Sequence, residues 1–89
     1  MPAYEVEWLP SAARAFGKFP PDIQRRIAPR VDELGRDPRP STAKQLHGPE
    51  RFWRLRVGAY RIVYAISDNL AVVTITHVGH RRDVYRRLR

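Results

Sequence analysis

The stretch that decides the fold of this chain is residues 52–64, which read FWRLRVGAYRIVY. Apolar and basic side chains alternate along it, as they do in β-strands that bury one face. The central Gly58-Ala59 pair fits a two-residue hairpin loop of type II′, in which glycine takes the first position. This loop sets Val57 opposite Tyr60, and we therefore predict a β-hairpin over the whole stretch.

Counting across the loop sorts the side chains of this hairpin onto two faces. The residues predicted to cover a core are Trp53, Leu55, Val57, Tyr60, Ile62 and Tyr64. The opposite face carries Arg54, Arg56 and Arg61. Because three guanidinium groups so close together repel one another, they imply an anionic partner, and the planar donor fork of arginine matches phosphate. The hairpin therefore predicts a phosphate-binding surface.

The net charge of +8 is concentrated in the second half of the chain. Residues 1–50 hold eight Lys or Arg and seven Asp or Glu, a net charge of +1, whereas residues 51–89 hold nine Arg and two Asp, a net charge of +7. Such asymmetry is the electrostatic footprint of a nucleic-acid-binding protein. An acidic protein partner, an acidic membrane surface and a solvated basic surface are all compatible with the same charge.

Length and composition indicate one globular domain that spans residues 1–89. Hydrophobic residues make up 43% of the chain, which is enough for a modest core. The absence of cysteine excludes a disulfide framework and a zinc site built from thiolates. The first residues lack the pattern of a signal peptide, and no apolar run approaches the ~20 residues of a membrane span. We therefore expect a cytoplasmic protein without a membrane partner.

Two helices are predicted between a first strand and the hairpin. Residues 3–8 alternate in polarity and predict the strand. Helices are predicted over residues 10–17 and 20–35, because each range begins with proline and closes with glycine. The second has an apolar stripe at helical spacing, formed by Ile23, Ile27, Val31 and Leu34. The proline-rich residues 36–50 are predicted to form one connecting loop.

The last strand is predicted to pair with the hairpin through a second tight turn. Residues 68–69, Asp-Asn, suit a two-residue type I′ turn that leads into a strand over residues 70–78. This count pairs Ile62 with Ile75 and puts His77 on the core face. The predicted order is β-α-α-β-β-β, an α+β domain with a two-helix antiparallel hairpin on one face of an antiparallel sheet. A short basic turn or helix is expected at the C-terminus.

Two segments of this chain resemble the RelE/ParE toxin superfamily of bacterial and archaeal toxin–antitoxin systems. They are residues 53–64, WRLRVGAYRIVY, and residues 78–85, VGHRRDVY. The RelE-like branch cuts mRNA in the ribosomal A site without a metal. The ribose 2′-hydroxyl attacks the adjacent phosphodiester and leaves a 2′,3′-cyclic phosphate and a 5′-hydroxyl. The resemblance therefore implies an endoribonuclease that needs no cofactor and binds both mRNA and ribosomal RNA.

The same resemblance leaves two other activities open. The ParE-like branch inhibits DNA gyrase by binding and without catalysis, and a toxin that has lost its activity would bind only its antitoxin. Toxins of both branches are silenced by an antitoxin that wraps around them. The resemblance thus implies a cognate acidic antitoxin, disordered when free, that lays hydrophobic and acidic residues over the sheet or the helical hairpin in a hetero-oligomer.

The resemblance also implies roles for individual residues. Arg61 matches the arginine that stabilises charge at the scissile phosphate, and Arg81 matches the arginine that protonates or stabilises the leaving oxygen. Tyr85 matches a C-terminal tyrosine that stacks on or positions the nucleotide. Arg54 and Arg56 lie on the strand face where RelE-like toxins carry two lysines, so we expect them to orient and neutralise the phosphate.

These roles leave the general base unassigned. Arginine stays protonated in proteins and is therefore a poor base. His80 is the best titratable candidate, because the ordinary pKa of histidine lies near ~6.5. Lys44, His47 and Glu50, in and beside the loop before the hairpin, are weaker candidates. Lys44 is also expected, together with Arg82, to contact RNA phosphates.

Overall fold

The structure, a computed structural model, describes residues 3–48 and 51–80. The strands are β1 (Glu5–Trp8), β2 (Lys44–Gln45), β3 (Phe52–Val57), β4 (Tyr60–Ser67) and β5 (Val72–His80), and the helices are α1 (Pro10–Gly17) and α2 (Pro21–Glu33). The predicted α+β fold is therefore confirmed. The basic turn or helix expected at the C-terminus lies outside the described residues. Within the described ranges, no helix is long and apolar enough to cross a membrane.

The strands form one sheet in the order β1-β5-β4-β3-β2. β1 pairs with β5 in parallel and the other neighbours pair antiparallel, so the sheet is mixed. The prediction that residues 36–50 form one loop is wrong, because Lys44 pairs with Arg54 and Gln45 pairs with Trp53 in the short strand β2. Two residues are too few for a strand's alternation to be visible in the sequence.

The core lies between the two helices and one face of the sheet. Side chains fully buried there include Ile27, Val31, Leu34, Leu55, Ile62, Tyr64, Val73 and Ile75. The core face predicted for the hairpin is confirmed, since Trp53 and Tyr60 pack half-buried against this cluster and the other four residues of that face are buried. The apolar stripe of α2 supplies the helical side of the core.

Hydrogen bonds join the loop after α2 to the sheet, at the end of the sheet that is distant from the β3–β4 turn. The buried Tyr64 hydroxyl donates a hydrogen bond of 2.7 Å to the carbonyl of Pro38. The Arg39 guanidinium donates to both carboxylate oxygens of Asp68, at 3.2 and 2.9 Å, and lies 5.6 Å from the ring centroid of Trp53. Hydrogen bonding to Arg39 holds the pKa of the Asp68 carboxyl below its ordinary value.

The turn between β4 and β5 is longer than predicted. Ser67 pairs with Val72, so residues 68–71 form a four-residue loop in place of the predicted two-residue turn. The two added residues delay β5 by two positions in its pairing with β4. The predicted pairing of Ile62 with Ile75 is therefore wrong.

A β-bulge then shifts the register by one further residue. Tyr64 pairs with Ile75, but its neighbour Val63 pairs with His77, so Thr76 is the extra residue. The Thr76 hydroxyl donates a hydrogen bond of 3.1 Å to the Val63 carbonyl. Residues beyond a bulge change face, and the prediction that His77 lies on the core face is therefore wrong.

Candidate functional site

The sheet face opposite the core carries a row of four side chains that crosses four strands, and three of the four are polar. Residues paired on antiparallel strands present their side chains on the same face. Lys44 pairs with Arg54, Arg54 with Val63, and Val63 with His77. This row brings cations from β2 and β3 and an imidazole from β5 onto one surface.

A second row lies next to the hairpin turn. Arg56 pairs with Arg61, as predicted, and Arg61 pairs with Gly79 of β5. Because glycine contributes no side chain, the row presents two guanidinium groups and nothing larger than a hydrogen on β5. The two rows together are called the arginine face, and they consist of Lys44, Arg54, Arg56, Arg61, Val63, His77 and Gly79.

Arg61 is buried, with 6% of its surface exposed. Its Nη1 atom donates to the carbonyls of Gly58 and Tyr60, each at 3.2 Å, so the hairpin's own backbone fixes the guanidinium. Its Nε atom is buried without a hydrogen-bond partner among the described residues. An unsatisfied buried donor costs roughly 1–3 kcal/mol, which favours a site that an acceptor from outside completes.

Arg54 is also buried, at 9% exposure, whereas Arg56 is exposed. Within residues 3–48 and 51–80 there is one ion pair, which joins Arg39 to Asp68. The Arg39 guanidinium lies over the ring of Trp53, on the core side of the sheet. No described carboxylate therefore pairs with the arginine face. Buried charges without a counter-charge are costly, so this arrangement favours an anionic ligand.

His77 is a site residue that the sequence reasoning missed. It is half-buried on the arginine face, its Nδ1 atom lies 3.0 Å from the Thr76 hydroxyl oxygen, and its ring meets Phe52 edge-on with centroids 6.5 Å apart. Its position depends on the four-residue loop and on the bulge. Neither the loop nor the bulge has a local signal in the sequence that predicts it.

His80, the base candidate from the sequence, lies apart from the arginine face. It pairs with Tyr60, and the two rings meet edge-on with centroids 6.0 Å apart. Tyr60 in turn contacts Phe19, at 4.9 Å between centroids, on the helix side of the sheet. The exposed imidazole of His80 is therefore directed to the side that bears the helices.

The other site residues from the sequence divide into two groups. Lys44 is exposed at the edge of the arginine face, and His47 is exposed in the loop that follows β2. Four residues with expected roles lie outside the described residues, namely Glu50, Arg81, Arg82 and Tyr85. In the part of the chain that the structure describes, no three His, Cys, Asp or Glu side chains form a group that could hold a metal ion.

Arg26 of α2 reaches the hairpin turn, which the sequence did not indicate. Gly58 has a positive φ of 61°, and a Cβ built on it would lie 2.9 Å from the Nη2 atom of Arg26. Arg61 bonds to the carbonyl of the same glycine. The turn is thus flanked by guanidinium groups from a helix and from the sheet.

Comparisons with known proteins identify the family of this basic, hairpin-centred fold. The family model described as ParE toxin of type II toxin–antitoxin system, parDE, matches residues 6–85. The chain belongs to this toxin family. Toxin RelG of Mycobacterium tuberculosis is 34% identical over 89 residues, and the match covers 94% of this chain and 98% of RelG. Membership of the RelE/ParE toxin superfamily is therefore confirmed.

Solved structures share the fold of this toxin. A chain of the toxin–antitoxin complex RelBE2 from Mycobacterium tuberculosis matches with a TM-score of 0.79 at 31% identity, covering 91% of this chain and 100% of that chain. The archaeal RelE–RelB complex from Pyrococcus horikoshii OT3 gives a TM-score of 0.79 at 25% identity, with 89% and 96% covered. The isolated E. coli RelE toxin, at 22% identity and a TM-score of 0.73 over 98% of this chain and 100% of that chain, has the same fold.

Proposed function

We propose that this toxin is a ribosome-dependent endoribonuclease that cleaves mRNA in the A site. The observation that carries the proposal is the burial of Arg54 and Arg61 without a carboxylate partner among the described residues. A recessed guanidinium is accessible to a slender group such as a phosphodiester, which it binds through charge-assisted hydrogen bonds. The 34% identity to Toxin RelG supports the RelE-like branch.

The proposed reaction is the attack of a ribose 2′-hydroxyl on the adjacent phosphodiester, which gives a 2′,3′-cyclic phosphate and a 5′-hydroxyl. Negative charge accumulates on the equatorial oxygens of phosphorus during the attack, and cations fixed beside them lower the barrier. Two backbone carbonyls already hold the Arg61 guanidinium in place. Arg61 therefore stabilises this charge without having to reorganise, and Arg54 acts from the adjacent strand.

The remaining basic residues bind and orient the RNA. Arg56 and Lys44 are exposed on the arginine face and contact the phosphates that flank the scissile one. Arg81 and Tyr85 keep the roles that the resemblance implies, with Arg81 at the leaving oxygen and Tyr85 against a base. Arg82 adds a further phosphate contact.

The proposal includes a cognate acidic antitoxin that neutralises the toxin. The net charge of +8 favours an acidic partner. An apolar groove between β1 and the two helices, lined by Trp8, Phe16 and Ala28, offers a place for hydrophobic side chains of such a partner. The related structures from Mycobacterium tuberculosis and Pyrococcus horikoshii are themselves complexes with an antitoxin or RelB. A small acidic protein encoded beside the toxin should co-purify with it, and failure to do so would count against this part.

Primer extension on mRNA in a translation extract tests the nuclease. Wild-type toxin should produce cuts within A-site codons that require ribosomes, and Arg61→Ala should lower their rate by about 10²–10³-fold. Arg14→Ala is the matched control, because Arg14 is exposed on α1 and its loss removes the same charge. Intact mRNA with a wild-type protein that still arrests growth would refute the proposal.

The alternative is inhibition of DNA gyrase by binding alone. The match of the ParE family model over residues 6–85 favours it. In that case the purified toxin inhibits supercoiling by gyrase, and the arginine face binds an acidic surface of the enzyme or its DNA. The supercoiling assay therefore belongs beside the primer extension, because the two candidates give opposite results in the pair of assays.

A further inference from the structure

We propose that the phenyl ring of Phe52 stacks on one of the two nucleobases that flank the scissile phosphate of the mRNA. This inference rests on the proposed nuclease function and adds a base-binding position to it. Among the Phe, Tyr and Trp residues that the structure describes, Phe52 is the one that neither belongs to the hydrophobic core nor packs against it. Its neighbour Trp53 packs against the core, so strand alternation places Phe52 on the opposite face of the sheet. Core packing therefore does not explain this ring.

The row of side chains that contains Phe52 differs in charge from the two rows of the arginine face. Phe52 pairs with Ala65, Ala65 with Thr74, and Thr74 with Glu7 of β1. This third row holds no cation and ends in a carboxylate at the edge of the sheet, so it does not attract a phosphate. From β3 to β5 it presents a phenyl ring, a methyl group and a short hydroxyl-bearing side chain, which together suit an uncharged, planar group such as a base.

The third row is adjacent to the arginines that bind the scissile phosphate. Phe52 is two residues from Arg54 on β3, so their Cα atoms are about 6–7 Å apart and their side chains leave the sheet on the same face. In an extended RNA strand, a phosphate and the base of an adjoining nucleotide span such a distance. A phosphate held by Arg54 and Arg61 therefore brings a flanking base to Phe52.

Phe52 keeps surface that a base can cover. It is half-buried, as is its partner Ala65, whose methyl group leaves room beside the ring. The rings of Phe52 and His77 meet at 78° with centroids 6.5 Å apart, so this contact covers at most one face of the phenyl ring. Proteins bind single-stranded RNA by the same combination, in which aromatic side chains stack on bases while cations hold the backbone.

The test is a cycle that crosses Phe52→Leu with removal of a base. The substrates are ribosomes programmed with an mRNA that carries the ordinary A-site codon, or an abasic ribonucleotide on one side or the other of the scissile phosphate. The abasic nucleotide keeps the 2′-hydroxyl and the phosphate, and leucine keeps an apolar side chain without an aromatic face. On the ordinary codon, Phe52→Leu should lower kcat/KM by about 5–100-fold. Phe52→Trp, which offers a larger ring, should retain the wild-type value or exceed it.

Removal of the base identifies what the ring contacts. For the wild type, the abasic nucleotide at one of the two positions should cause a loss similar to that of Phe52→Leu. The two changes together should then cost no more than either alone, because both remove the same contact. A ring that only supports the fold would give additive losses instead.

Phe19→Leu is the matched control. It makes the same change at another half-buried ring, which lies on the helix side against Tyr60. This variant should keep the wild-type kcat/KM on the ordinary codon and the full effect of the abasic nucleotide. Thermal melting of each variant shows that it is folded at the assay temperature.

The outcomes separate the base-binding role from the nuclease itself. If the wild type does not cut mRNA, the proposed function and the role of Phe52 both fail. If the wild type cuts and folded Phe52→Leu keeps its kcat/KM, the role of Phe52 fails while the nuclease stands. The role fails in the same way if the losses from Phe52→Leu and from base removal are additive at both positions.

Discussion

Replacing Arg61 with methionine should stabilise the fold while it abolishes cleavage. The side chain is 6% exposed, its Nε atom has no partner among the described residues, and its neighbours on the arginine face are cations. Methionine fills much of the same space with an apolar chain that needs neither a hydrogen bond nor a counter-charge. If Arg61 served only to stabilise the fold, the same substitution would lower the stability and leave cleavage intact.

The expected gain follows from the contacts that the substitution removes. Relief of the unsatisfied Nε contributes about 1–3 kcal/mol. Replacing buried charged groups with apolar ones gains about 1–4 kcal/mol in favourable cases. This gain and the gain from relieving Nε cannot simply be added, because both include the desolvation of the guanidinium. Against this, the carbonyls of Gly58 and Tyr60 lose their donor, at about 0.5–1.5 kcal/mol each. Because Gly58 is exposed, water offsets part of that loss, and we expect a net gain of about 1 kcal/mol.

Urea and thermal unfolding followed by circular dichroism measure this gain. One kcal/mol corresponds to a shift of about 4–8 °C in Tm for a domain of this size, and to as much as about 1 M in the urea midpoint. Arg56→Met is the control, because Arg56 is exposed on the same face and its replacement should leave the free energy of unfolding within about 0.5 kcal/mol. If Arg61→Met lowers the stability by about 1 kcal/mol or more, Arg61 is a structural residue and the reasoning fails.

Three further predictions concern stability. Tyr64→Phe leaves a buried loop carbonyl without its donor and should cost about 1–3 kcal/mol in urea unfolding. Hydrogen bonding to Arg39 lowers the pKa of Asp68 in the folded state. The Arg39–Asp68 pair therefore stabilises the fold above the unfolded pKa of about 4, and this stabilisation is lost as the pH falls from there through the folded pKa. A series of melting curves at decreasing pH measures the loss. Gly58→Ala forces an alanine to a φ of 61° and against the guanidinium of Arg26, and should lower stability by about 1–2 kcal/mol.

Each of the three has a matched control. Phe52→Leu, on the other face of the same hairpin, should not reproduce the effect of Tyr64→Phe on the loop. Asp68→Asn should melt with a weaker dependence on acid pH than the wild type, and an unchanged dependence would contradict the assignment. Gly17→Ala changes a glycine with nothing within 4 Å of its added Cβ, so a loss equal to that of Gly58→Ala would show that the turn is not the cause.

The hairpin could be predicted from the sequence because its signals are local. Alternation fixes the two faces of residues 52–64, and glycine before alanine fixes the turn, so Arg56 and Arg61 are paired as expected. The β4–β5 pairing could not be predicted in this way. Its four-residue loop places Ala71 at a φ of 54°, a conformation that alanine rarely adopts. The bulge at Thr76 adds a residue that only the completed sheet reveals.

Some features of the candidate site could likewise be predicted from local sequence, whereas others depend on the tertiary structure. The shared face of Arg54 and Arg61 follows from strand alternation. Their burial depends on the tertiary structure, and it turns an expected solvated surface into two recessed charges that no carboxylate among the described residues pairs with. The approach of Arg26 to Gly58 joins a helix to a turn that is 32 residues later in the chain. A contact of that kind has no signature in the local pattern.

One inserted residue decides which histidine can serve the arginine face. The sequence favours His80, since it is the histidine that adjoins the arginine motif. With Thr76 bulged out, however, His80 pairs with Tyr60 on the helix side and His77 pairs with Val63 beside the arginines. Adjacency in sequence does not bring His80 into contact with the arginine face, and a proton passes between groups only within hydrogen-bonding distance. The same bulge places the Thr76 hydroxyl 3.0 Å from Nδ1 of His77, so the position of the ring and this contact have a single structural origin.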